Sequence, residues 1–178
     1  MKRRLLFLFA VFMVGTSVGW GQMIPTYYKV AVGTGGDGSS AGSPIYKANL
    51  EAALSDAALS SLDSVIILLP EGEYSANAAP YSITKSSLAI IGEGDTSTVT
   101  IKSPVDIELT NGGNVSFQKV HLTAKTSTGR GVVDIKSSKT TVSFSESKIT
   151  IEGRGTGDSG SGACFGIVSQ LTVNENTV

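Results

Sequence analysis

The amino-acid sequence predicts an all-β protein: a parallel β-helix solenoid of about four to five coils, with an N-terminal capping α-helix and no C-terminal cap. Three observations carry this expectation. Short segments with apolar residues two apart recur along the chain, their starts lie 23 to 29 residues apart, and Gly-, Asn- and Ser-rich turns separate them.

Taken in order, residues 1–21 read as a secretory signal peptide. "MKRR" is a basic n-region, and the apolar run Leu5–Gly15 is too short to cross a bilayer. Gly19 and Gly21 meet the small-residue rule for cleavage before Gln22, with cleavage after Gly19 or an uncleaved anchor as alternatives. Cleavage removes three of the 14 basic residues and none of the 15 acidic ones, for a net charge of −4. A mildly acidic chain without a basic run speaks against nucleic acid as a partner, and no membrane span is expected after cleavage. Cys164 is the single cysteine, so no internal disulfide staples this exported chain.

Residues 22–64 are expected to hold a strand, a Gly/Ser loop and the capping helix. In Ala48–Leu62, the residues Leu50, Ala53, Leu54, Ala57, Ala58 and Leu62 keep helical spacing and form one apolar face. "GTGGDG" contains G-x-G-x-x-G, but "SSAGSP" intervenes before any helix, so the dinucleotide reading fails its context and no cofactor is evident.

Residues 65–178 are expected to form the coils. The pairs Val65/Ile67, Leu88/Ile90, Val115/Phe117, Val142/Phe144 and Leu171/Val173 are the same inward positions of successive coils. Leu122 and Ala124 follow Phe117 at the offsets at which Ile149 and Ile151 follow Phe144. Further strands, "DIELT", "VVDIKSS" and "FGIVS", give each coil more than one strand. The pattern stops at Val178 inside a coil, so downstream coils or another chain are expected to cover the open end.

The stretch "YYKVAVGTGGDGSSAGSPIYKANLEAALSDA", then "DSVIILLPEGEY" with its Pro70, Gly72 and Tyr74 turn, then "YSITKSSLAIIGEGDTSTVTI", resembles the N-terminal part of secreted pectate-lyase-like proteins. The resemblance implies a right-handed coil and acidic polysaccharide as the substrate class, with lyase or hydrolase chemistry. In that superfamily, acidic residues on one outer sheet hold Ca2+ and a nearby Arg or Lys takes the proton alpha to the uronate carboxylate.

Against that chemistry the sequence offers two pairs. Asp106 and Asp134 each precede an inward Ile in successive coils; stacked outward, they are candidate Ca2+ ligands or equally an ordinary solvated face. Arg130 and Arg154 each sit in a "GRG" turn, where they are candidates for binding a sugar carboxylate or sulfate. His121 should face outward, and nothing places it beside Cys164. The expectation is therefore a secreted, carbohydrate-active type of protein that is inert at this length, its catalytic residues unidentified. The alternative is a non-catalytic adhesin-like or structural protein that contacts a surface glycan.

Overall fold

Buried and partly exposed residues alternate strictly along Ser87–Gly92, Val99–Ser103 and Thr140–Ser145, the period of a strand with one face inward. The computed structural model describes residues 24–56, 62–76, 82–84, 87–103, 107–110, 113–126, 131–135, 140–154, 163–167 and 171–173. Fifteen strands and one helix lie among them: β1 (Thr26–Val30), β2 (Ile45–Lys47), α1 (Leu50–Leu54), β3 (Val65–Leu69), β4 (Gly72–Ser75), β5 (Ser82–Ile83), β6 (Ser87–Gly92), β7 (Val99–Ser103), β8 (Ile107–Leu109), β9 (Gly113–Gln118), β10 (His121–Thr126), β11 (Gly131–Ile135), β12 (Thr140–Ser145), β13 (Lys148–Arg154), β14 (Ala163–Ile167) and β15 (Leu171–Val173).

Every pairing among the described residues is parallel. The first sheet runs β15-β12-β9-β6-β3-β1-β2, the second β13-β10-β7-β4 and the third β14-β11-β8-β5. From β3 onward the chain visits the three sheets in turn, so each sheet collects every third strand. The equivalences read from the repeat are register pairs of the first sheet: Val65 with Leu88, Leu88 with Val115, Val115 with Val142, and Val142 with Leu171. Their inward side chains build one core. Ile67, Ile90, Phe117 and Phe144 lie in one file, and the rings of Phe117 and Phe144 stack at 5.3 Å with 7° between planes.

The expected fold class is corrected on two points. A closed right-handed β-helix solenoid is not what the described residues show. They show mostly parallel strand in separate hydrogen-bonded sheets with one short helix, and most of the connections between sheets lie outside them. The helix is also shorter than the span 48–62. Asn49 caps it, its Oδ1 accepting from Ala52 N at 2.7 Å, and Leu50 and Ala53 are buried against β1 and β2. It ends at Leu54 because Ser55 turns its hydroxyl back onto the Glu51 carbonyl (2.7 Å), and Asp56 is drawn into an ion pair with Lys47. Leu62 packs on the core from outside the helix. Residues 1–23, where the signal peptide is expected, lie outside the described residues, as do residues 174–178.

Candidate functional site

The second sheet carries a polar outer surface ordered by its register. Its inward file is Tyr74, Ile101, Leu122 and Ile149. Alternation therefore turns the flanking residues out, and the register aligns them in two columns: Glu73, Thr100, His121, Lys148, and Ser75, Lys102, Thr123, Thr150. Neighbours in a column sit about 4.8 Å apart, the spacing of adjacent strands.

Hydrogen bonds knit the columns together. His121 Nε2 lies 2.8 Å from Thr150 Oγ1, and Ser75 Oγ donates to Glu73 Oε1 at 2.6 Å. Lys148 is exposed, whereas Thr123 is only 4% exposed and its Oγ1 has no hydrogen-bond partner. A hydroxyl buried without a partner forfeits its bond to water and gains none in return.

A corner ahead of β10 and β13 holds this face in place. Lys119 (φ 54°) and Glu146 (φ 49°) occupy equivalent left-handed positions, which redirect the chain from the first sheet to the second. Lys119 N donates to Ser145 O and Lys148 N to Val120 O, both at 3.0 Å. Ser147, 1% exposed, accepts from Val120 N at 3.3 Å and donates to Ser145 O at 2.9 Å. Gly92 follows Ile91, the register partner of Gln118, and a Cβ there would collide with the Lys119 carbonyl and press on Val99 at 3.2 Å.

Tyr74 closes the inner end of the sheet. Its hydroxyl donates to Pro70 O at 2.6 Å, and burial, with the Glu93 carboxylate adding to it, pushes its pKa up to about 12. On the first sheet, Lys29 and Glu93 pair at 2.8 Å. In the Gly33–Ser43 loop, Asp37 accepts from the Ser39 hydroxyl (2.7 Å) and N–H (3.0 Å), and these bonds hold its carboxyl below the usual range. Positive φ at Gly35, Gly36 and Gly38 makes this loop a turn bound to β1 through Gly38 O, not the start of a helix.

Each of the two pairs read from the sequence has one member outside the described residues. Asp134 pairs in register with Glu108 and Gly166, because Ile135 aligns with Leu109 and not with Ile107. Asp106 lies outside the described residues, as does Arg130. Arg154 is the last residue of β13, in register with Thr126 beyond a shift at Ala124/Lys125, so it ends a strand where a turn was expected. Asp134 belongs to the third sheet and Arg154 to the second, and Cys164 in β14 and His121 in β10 are likewise divided. Among the described residues, no three His, Cys, Asp or Glu side chains are grouped to hold a metal ion, and no helix is long and apolar enough to cross a membrane.

Sequence reasoning did not find the two outward columns. The offset from Leu122 to Ile149 also aligns His121 with Lys148 and Thr123 with Thr150, so half of the face was available in the repeat. The β7 half was hidden, because residues 93–98 lengthen the link from β6 to β7 and break the period.

Comparison with protein-family models, with curated proteins and with solved structures finds no match for this chain.

Proposed function

We propose that this protein is exported and binds an acidic polysaccharide through the outer face of its second sheet, without cleaving it. The observation that carries the reading is the paired-column surface of Thr100, His121 and Lys148 beside Lys102 and Thr150. Hydroxyl, imidazole and ammonium groups repeated at strand spacing match the chemistry of a polymer of hydroxyls and carboxylates. The basic, then apolar, N-terminus "MKRRLLFLFAVFMVG" supports export. The likeness of the chain from about Tyr27 onward to secreted pectate-lyase-like proteins supports the choice of an acidic glycan.

The test is retention of the purified exported chain on immobilised polygalacturonate and on a neutral polysaccharide at two salt concentrations. Selective, salt-sensitive retention that falls in Lys148→Glu, with the circular dichroism unchanged, is the expected result. Equal retention of the variant, or no retention at all, would overturn the reading. Release of unsaturated ends absorbing in the ultraviolet would overturn the non-catalytic part of it.

A further inference from the structure

A concavity lies between α1 and the edge of the second sheet. It is a groove of about 480 Å³, within the range of ligand sites. Fully exposed Val32, Ala48 and half-buried Tyr74 contribute its accessible apolar surface over the buried Val30 and Leu50; Glu51 and Glu73 add carboxylates. No lysine or arginine is among its lining residues.

One wall is a strand edge. β4 ends the second sheet, and no described strand lies beyond it. Gly72 N donates to Thr98 O (2.8 Å) and Ala76 N to Lys102 O (3.0 Å), so alternate peptide groups of β4 face β7. The peptide groups of Glu73 and Ser75, residues that line the groove, therefore point away from β7, where no described strand pairs with them. An edge of this kind is a template for another strand, and the adjoining carboxylates select the charge of what docks there.

We propose that this groove takes an extended, lysine- or arginine-bearing segment of a partner protein, which adds to the second sheet as a strand beside β4. Backbone hydrogen bonds to Glu73 and Ser75 supply the docking geometry. Alternate side chains of the segment lie against Val32 and Ala48, and its cations face Glu73. The segment is a different ligand from the glycan, so the two proposals stand or fall separately.

The test uses a fluorescein-labelled five-residue peptide alternating valine and lysine, titrated against the purified exported chain by fluorescence anisotropy. Two control peptides carry glutamate in place of lysine, or N-methyl groups on alternate amides. Saturable binding of the lysine peptide, about tenfold tighter than either control, is the expected result. Glu73→Lys should reverse the preference in favour of the glutamate peptide, whereas Lys148→Glu should leave lysine-peptide binding unchanged. Equal binding of the N-methylated peptide would overturn strand addition, and indifference to Glu73→Lys would overturn the charge assignment. Displacement of the peptide by self-association of the chain, seen in sedimentation, would overturn it in favour of a second copy as the occupant.

Discussion

Replacing Thr123 by valine tests the packing of the outer face directly. Thr123 lies between Lys102 and Thr150, 4% exposed, with an unpartnered Oγ1. Valine keeps the β-branched shape that suits a strand and exchanges the hydroxyl for a methyl. An unsatisfied buried hydroxyl costs about 1–3 kcal/mol, so the variant should gain about 1 kcal/mol after imperfect repacking. For a chain of this size that corresponds to about 3 °C in Tm. Thr123→Ser keeps the hydroxyl and removes a methyl, and should lose about 1 kcal/mol. The only tryptophan, Trp20, falls in the expected signal peptide, so urea unfolding of the mature chain is best followed by far-ultraviolet circular dichroism. A loss of 0.5 kcal/mol or more in Thr123→Val, against ~1 kcal/mol expected gain, would show that the hydroxyl has a partner and would refute the reasoning.

Leucine at Phe117, at Phe144 and at both, compared in a double-mutant cycle, should give a coupling of about 1 kcal/mol for the stacked pair; additivity within ~0.3 kcal/mol would remove the stack as a source of stability. Gly92→Ala should cost about 2 kcal/mol in urea unfolding because its methyl meets the Lys119 carbonyl, whereas Gly42→Ala, whose nearest neighbour would be 3.8 Å away, should cost under ~0.5 kcal/mol. Stability should fall as pH rises from about 10 toward 12. Tyr74 has its folded pKa pushed up to about 12, so its contribution is complete below the unfolded value near 10 and is lost as the folded group ionises and releases Pro70 O. Tyr74→Phe should flatten that limb of the pH–stability curve, and an unchanged slope would assign it to other groups.

The inward files were legible because they combine two periods, apolar residues two apart within a strand and a spacing of 23 to 29 residues between strands. Val115, Val142 and Leu171 show both signals, and the structure pairs them. Outward residues show only what the inward register confers. Asp134 was matched to Asp106 because both precede isoleucine, yet Ile107 aligns with Val133, and only hydrogen bonding distinguishes that register from one two residues away. The spacing of Leu50, Ala53 and Leu54 continues through Ala57, Ala58 and Leu62, of which Ala57 and Ala58 lie outside the described residues, so the apolar pattern shows no break after Leu54. Ser55 and Asp56 interrupt it through bonds to the Glu51 carbonyl and to Lys47, and the apolar pattern contains neither partner.

The six residues that hid β7 from the repeat also leave a mechanical mark. In a stack of strands joined only to their neighbours, an end can peel away while the remainder holds. Here the hydroxyl of Thr96, in that inserted link, donates to the carbonyl of Glu146, 50 residues later and beyond the corner at Lys119. The link thus reaches past one repeat to grip the next. A pull on β12 and β13 therefore reaches the link between β6 and β7 by two routes, through the ladders of β9 and β10 and through this one direct bond.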